Sequence, residues 1–202
     1  MKIDVAESSP DEVYRWLVGI VTPRPIGWVT TLDAEGRVNL APFSFFNVFG
    51  ADPPVVVFSP VNRRDGSRKD TLLNVEATGE FVLNAAVESL AEAVNLSSVE
   101  LPRGQSEADL AGLSLLPSAR VKPPRVAESP THLECRLRQI VRVGDGPMAA
   151  NLIIGEVVAI HVDDSVIGSD GRVDPSKLKT IARLGGDWYC RTSDLFTLKR
   201  PG

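Results

Sequence analysis

The sequence predicts a β-barrel interrupted by helical excursions, and three observations carry that expectation. Short segments rich in β-branched and aromatic residues recur at close spacing, separated by Gly, Pro and Asp turns. Long stretches of helical periodicity are few. Strands do not alternate with helices in the rhythm of a parallel βαβ sheet, and no internal repeat is visible. The 202 residues suffice for one domain with a substantial core, read here as 1–202 with a long excursion at about 85–130.

Taken in order, Asp11 to Val21 has helical apolar spacing through Val13, Trp16 and Leu17, and leads into Thr22-Pro23-Arg24-Pro25. Trp28–Leu32 and Arg37–Ala41 flank Asp33-Ala34-Glu35-Gly36, a strand–turn–strand signal. Val55-Val56-Val57-Phe58-Ser59, bounded by Pro53-Pro54 and Pro60, reads as a buried strand. Thr71 to Ala77 has helical spacing, with Asp70 placed to cap its start and Gly79 just past its end. Glu80–Asn84 is another strand, and residues 87–98 have the composition of a helix. Leu101 to Pro124, rich in Pro, Gly, Ser and acidic residues, reads as an excursion with little regular structure. Such long loops are functional or mobile. From His132 to Val143, Leu133, Cys135, Leu137, Val141 and Val143 share one face, with Glu134, Arg136, Arg138 and Arg142 on the other. Gly144-Asp145-Gly146-Pro147 turns the chain into Asn151–Val162, an almost continuous apolar run expected to be buried on both faces.

Composition is that of an ordinary soluble chain, 43% hydrophobic and 24% charged, and a net charge of −4 argues against a nucleic-acid partner. The first residues lack the apolar stretch of a signal peptide and no run approaches transmembrane length, so a cytoplasmic protein without a membrane partner is expected. Cys135 and Cys190 are too few for a disulfide framework or a metal site, and Cys135 reads as a small core residue. His132 and His161 have no partners at metal-ligand spacing and read as surface or structurally bonded residues.

Against this acidic background stands Arg63-Arg64-Asp65-Gly66-Ser67-Arg68-Lys69-Asp70-Thr71. A basic Gly/Ser loop between a strand and a helix is a phosphate-binding order, since the helix N-terminus adds free N–H groups and a partial positive charge. Arg64, Arg68 and Lys69 would supply charged donors. A solvated loop whose charges pair with Asp65 and Asp70 is the alternative, and this segment alone leaves both open. Neither a P-loop nor a Gly-x-Gly-x-x-Gly dinucleotide fingerprint is present.

Thr22-Pro23-Arg24-Pro25-Ile26-Gly27-Trp28-Val29-Thr30-Thr31-Leu32-Asp33, then Ala41-Pro42-Phe43-Ser44-Phe45-Phe46-Asn47, resembles the flavin reductase-like family of FMN-binding split-barrel flavoproteins. The resemblance runs on through Phe58-Ser59-Pro60, Lys69-Asp70-Thr71, Gly79–Asn84, Leu133-Glu134-Cys135, Gly155–Val158 and Ala182-Arg183-Leu184-Gly185-Gly186. It implies a homodimer of six-stranded antiparallel split barrels with FMN near the subunit interface. It also implies that Thr30 and Thr31 face the flavin and its tail. Ser44, Phe45, Phe46 and Asn47 form the loop at the ring edge, a mixture of aromatic and small polar groups that suits a flavin. Ser59, Arg64, Ser67, Arg68, Lys69, Asp70 and Thr71 surround the ribityl phosphate. Arg183, in the Arg-Leu-Gly-Gly segment, reads either as part of a C-terminal structural turn or as a basic group lining the substrate side, and the second is preferred.

The chemistry implied is hydride transfer from NADH or NADPH to FMN, then onward to free flavin, oxygen or a small organic acceptor. The cofactor carries the difficult step, so no catalytic side chain is assigned. A monooxygenase or other electron-acceptor protein is an admissible partner. The competing readings are an FMN-binding electron carrier fed by a protein partner and an oxidase of the pyridoxamine-phosphate type. The latter would need a second basic cluster as dense as residues 63–69. The basic loop and the long excursion favour an FMN that is retained.

Overall fold

A computed structural model describes residues 1–202. The chain opens on helix α1 (Pro10–Ile20), started by a reciprocal capping box: Ser9 Oγ accepts from Glu12 N–H at 3.3 Å, and Glu12 accepts from Ser9 N–H at 3.0 Å. Five strands follow: β1 (Arg24–Pro25), β2 (Gly27–Leu32), β3 (Val38–Phe43), β4 (Phe46–Ala51) and β5 (Pro54–Phe58). Helix α2 (Asp70–Thr78) precedes β6 (Glu80–Ala85), and the excursion holds α3 (Ala91–Leu96), α4 (Glu107–Leu110), β7 (Leu115–Leu116) and β8 (Arg125–Val126). The long hairpin β9 (Thr131–Val143) and β10 (Ala150–Val162) comes next, then α5 (Pro175–Leu178), β11 (Ile181–Arg183) and β12 (Tyr189–Arg191).

The main sheet is antiparallel throughout, in the order β3-β2-β6-β9-β10-β5-β4. Its two end strands, β3 and β4, are consecutive in sequence, so the sheet must curl until its ends approach. Ser59 N–H donates to Phe45 O at 2.9 Å, and a Cβ on Gly27 would stand 3.0 Å from the Phe46 ring. No ladder joins β3 to β4. The result is a split barrel, with a sheet of seven strands where the resemblance implies six. A smaller sheet, β1-β11-β12, lies beside β4 through β1.

Inside the barrel, Val29, Phe43, Phe58, Phe81, Cys135 and Ile153 come from six strands and form one core, closed by Leu72 and Val75 of α2. Phe43–Phe58 and Phe58–Phe81 ring centroids lie 5.3 and 5.2 Å apart, the tilted and edge-on arrangements that aromatic quadrupoles favour. A second core lies outside the wall, where Trp28 and Leu40 meet Val94, Ala108 and Val126 of the excursion. The buried Trp28 indole donates to Ser97 Oγ at 2.8 Å.

Several expectations are corrected. Asp70 is the first helical residue of α2 rather than its cap; Lys69 holds the cap position, and its side chain has no acceptor to offer. Gly79 does end the helix, at φ +69°, where a side chain would be strained. Only Ser44 and Phe45 lie between strands, because Phe46 and Asn47 already belong to β4. Glu134 lies on the face of β9 opposite Leu133, as alternation predicts, but that face is not open to solvent there. Glu134 is wholly buried because the loop at 117–124 folds over its face of β9, with Ala119 and Arg120 N–H groups donating to its carboxylate at 2.7 and 2.5 Å. Strand β10 alternates rather than being buried on both faces: Asn151, Ile153 and Gly155 point inward while their neighbours are half-covered. Its β-branched run suits any pleated surface and does not report how many faces are covered.

Candidate functional site

The loop from Arg63 to Lys69 leaves β5 and delivers its cations to different places. Arg64 is 78% exposed and pairs with Asp11 of α1 at 3.1 Å. Arg68 pairs with Glu76 on the next turns of α2 at 2.7 Å. Arg63 turns inward: Nη1 donates to Arg68 O at 2.5 Å, Nη2 to Asp70 at 3.2 Å and Nε to Glu100 at 3.2 Å. Ser67 N–H closes an Asx turn on Asp65 at 2.8 Å, and its side chain is exposed.

Lys69 differs from all of these. It is half-buried, its Nζ stands 5.8 Å from the centroid of the Phe43 ring, and no carboxylate lies within ion-pair distance. Burial pushes its ammonium below the ordinary lysine value; Glu100 pulls the other way and Arg63 adds to the lowering. With Arg63, Asn39, Phe43 and Thr71 it lines a cavity of about 80 Å³, bordered on the far side by Ser97–Glu100 of the excursion. Thr71 is buried and its Oγ1 accepts from Asn39 Nδ2 at 3.0 Å, which fixes both at the cavity floor. Asp70 is bound by Arg63 and by Arg103, at 3.2 and 3.0 Å.

Thr30 and Thr31 lie inside the wall. Both have no exposed surface; Thr30 Oγ1 accepts from Asn84 at 2.7 Å and Thr31 Oγ1 from Asn74 at 3.1 Å. Ser59 is also turned inward, where its Oγ accepts from Asn151 N–H at 3.2 Å. The Thr30 hydroxyl ties β2 to β6, the Thr31 hydroxyl ties β2 to α2, the Ser59 hydroxyl ties the end of β5 to β10, and none of the three lines the cavities around Lys69, Ser44 or Phe46.

The segment Phe43–Phe46 connects the Lys69 cavity to two larger ones. Ser44 opens onto about 410 Å³ walled by Tyr14, Arg24 and Arg183. Phe46 opens onto about 390 Å³ of mainly apolar lining, with Pro25, Ile26, Leu83 and Ile181. Phe45 is partly exposed and packs edge-on against Tyr14 at 6.2 Å. Asn47 is exposed, with its Oδ1 taken by Val48 N–H at 2.8 Å. Arg183 is half-buried, its guanidinium 4.5 Å above the Tyr189 ring, and no carboxylate neutralises it. Arg24 looks similar in sequence but is spent: it donates to Val18 O, Val21 O, Leu184 O and Ser44 Oγ at 2.6, 2.7, 3.0 and 3.3 Å.

The structure therefore brings Lys69, Thr71 and Asp70 together with Arg63, places Ser44, Phe46 and Arg183 around adjoining cavities, and leaves Arg64, Arg68 and Ser67 on the outer surface. Residue reasoning missed Asn39 as a partner of Thr71 and Glu100 as a partner of Arg63. The alternating strand pattern around Asn39 could have shown that its side chain shares a face with Ala41 and Phe43. Nothing local to Glu100 marks it, because its partner lies across the fold.

A model of the flavin reductase like domain matches residues 20–175 of this chain. An uncharacterized protein of Halalkalibacterium halodurans is 42% identical over 203 residues, covering 100% of this chain and 97% of its own. Nitrilotriacetate monooxygenase component B from Bacillus cereus superposes with a TM-score of 0.92 at 37% identity, covering 98% of each chain. The 2-nitrobenzoate 2-nitroreductase NbaA of Pseudomonas fluorescens superposes at 0.88 with 34% identity, covering 100% of this chain and 96% of its own.

Proposed function

Because the chain belongs to the flavin reductase-like family, and is on that footing a flavin-linked oxidoreductase, we propose that it binds FMN and passes a hydride from NADH or NADPH through it to a flavin, oxygen or a small organic acceptor. One observation carries the assignment of the phosphate end: Lys69 is a half-buried ammonium that faces a cavity beside Phe43 without a carboxylate partner. Leaving a cation partly desolvated costs free energy that an anionic ligand would restore. The small volume suits a phosphate rather than a three-ring system, and the larger cavities opening at Ser44 and Phe46 leave room for a flavin ring along residues 43–46.

In this reading FMN, when bound, supplies hydride acceptance and release. The residues do the rest. Lys69 and Arg63 bind the phosphate, Asn39 holds Thr71 in place beneath it, and Phe43 supplies an apolar wall. Arg183, stacked on Tyr189 and free of carboxylates, offers a fixed positive charge to an anionic part of the donor or acceptor. Ser97–Val99 of the excursion cover one side of the phosphate cavity, which supports a retained cofactor. The likeness to a monooxygenase component B supports a partner enzyme as a further destination of the electrons.

The test has two arms. Lys69→Ala should weaken FMN roughly ten- to a hundredfold, the loss of one charge-assisted hydrogen bond of about 1.5–3 kcal/mol, and leave riboflavin nearly unchanged. Arg64→Ala should change neither by more than about twofold, as befits an exposed ion pair. Equal loss of both ligands in Lys69→Ala would give the loop a structural role only. NADH and NADPH oxidation should then proceed without added flavin; saturable stimulation by free FMN would overturn retention. Bound flavin that neither nucleotide reduces would overturn the donor.

A further inference from the structure

Two cations and two anions line the Lys69 cavity: Arg63 and Lys69, Asp70 and Glu100. The two carboxylates are held very differently. Asp70 uses one oxygen on Arg63 at 3.2 Å and the other on Arg103 at 3.0 Å, and its side chain is 24% exposed. Glu100 reaches Arg63 Nε with one oxygen at 3.2 Å, and its side chain is 68% exposed. Asp70 is locked in place; Glu100 can turn into water at little cost, because a single exposed ion pair contributes little.

Arg63 itself stays put whichever way Glu100 turns. Its Nη1 is fixed by the Arg68 carbonyl and its Nη2 by Asp70, so only the Nε edge changes partner when Glu100 leaves. A phosphate monoester carries close to two negative charges near neutral pH and would seek that N–H as well as the Lys69 ammonium. Glu100 therefore occupies one of the two cationic donors that such a group needs.

We propose that Glu100 is a specificity-determining residue of this site, competing with the ligand's phosphate for Arg63 and so weakening phosphorylated ligands against their unphosphorylated counterparts. The inference rests on the FMN reading and concerns its phosphate end alone. Glu100 belongs to the 85–130 excursion rather than to the barrel, so the excursion sets how readily the cofactor exchanges. A chain with a neutral residue at this position would hold FMN more tightly on an otherwise identical barrel.

The experiment is a titration of FMN and of riboflavin, read by flavin fluorescence, on the full chain and on Glu100→Gln. The variant keeps the shape and removes the charge. FMN should bind roughly two- to fivefold tighter and dissociate more slowly, with riboflavin unchanged, the scale set by one exposed ion pair. Glu100→Lys should move FMN further in the same direction. FMN affinity that is unchanged or weaker in Glu100→Gln would overturn the inference, by showing that Glu100 orients Arg63 instead of competing for it. The FMN reading fails separately, when Lys69→Ala loses FMN and riboflavin equally. If the unaltered chain binds neither flavin, both fall.

Discussion

Gly155 shows how much one side chain can be worth in this barrel. It sits on β10 directly over the Phe81 ring, and an added Cβ would overlap that ring, with Cε1 only 2.7 Å away. Phe81 has no exposed surface and packs edge-on against Phe58, so it has nowhere to move. Gly155→Ala should cost about 1–3 kcal/mol by overpacking, lowering the thermal midpoint by roughly 2–10 °C; an unchanged midpoint would mean the ring has slack that the packing does not show. The same dependence on placement separates the cations of the basic loop. Arg64, Arg68 and Lys69 lie in one short loop and are chemically alike, and the run itself was readable as a phosphate-binding candidate. Which of them would remain unneutralised was not readable, because Asp11 and Glu76, which take Arg64 and Arg68, are brought near only by the fold. Thr30 and Thr31 illustrate the converse. Their hydroxyls suit a ligand as well as a neighbour, and only the positions of Asn84 and Asn74 decide.

The excursion between β6 and β9 carries only short elements, and besides its apolar packing it is held to the barrel by buried polar anchors. Glu107, pushed up by burial, accepts from Leu40 N–H of β3 at 2.9 Å. Asn84 accepts from Val126 N–H at 2.8 Å, and Glu134 takes Ala119 and Arg120. His132 completes the set: its Nε2–H donates to Val126 O at 2.8 Å, which leaves Nδ1 buried and without a partner. Burial lowers the His132 pKa first of all; the Val126 bond and Glu134 oppose this, while Arg125 and His161 add to it. Protonation is therefore disfavoured in the fold relative to an unfolded histidine near 6.5. The unfolded chain binds more protons as pH falls, so this contribution is complete above about pH 6.5 and is lost as pH drops through the lower folded value. Urea unfolding should show stability falling between pH 7 and 5, with a shallower fall in His132→Gln, which can still donate to Val126. Equal slopes would remove His132 from the account. Sequence periodicity found six of the seven barrel strands, the β2–β3 turn and α2 because each is a local pattern; it missed β4, whose first residues it took for a loop. Within the excursion it found the helical composition at 87–98 but read 101–124 only as an irregular stretch, since the anchors there pair residues far apart in the chain, and alternation, which put Glu134 on the face opposite Leu133, cannot foresee a loop folding over that face.

At the scale of the whole molecule, one apolar surface is left uncovered by the chain's own packing. Helix α1 buries only Val18, leaving Leu17 half-exposed and Ile20 72% exposed. Tyr14 links that helix to Phe45, and beyond Phe45 the end strand β4 presents Val48 and Phe49, the latter 68% exposed. The outer edge of β4 pairs with nothing, so apolar side chains and unpaired backbone groups lie side by side. A surface of this kind beside the cavities at Ser44 and Phe46 fits the homodimer that the family resemblance implies, with the second copy covering the split of the barrel. Light scattering at micromolar concentration should give the mass of a dimer. Phe49→Asp, which places a charge where an aromatic anchor would be buried, should weaken association by about 2 kcal/mol or more, roughly thirtyfold, and shift the population toward monomer. Because Phe49 makes no contribution to either core, its variant should keep the thermal midpoint of the isolated barrel once dilution has separated the copies. A flavin-loaded monomer in the unaltered protein would defeat the dimer and show that one chain closes the site alone.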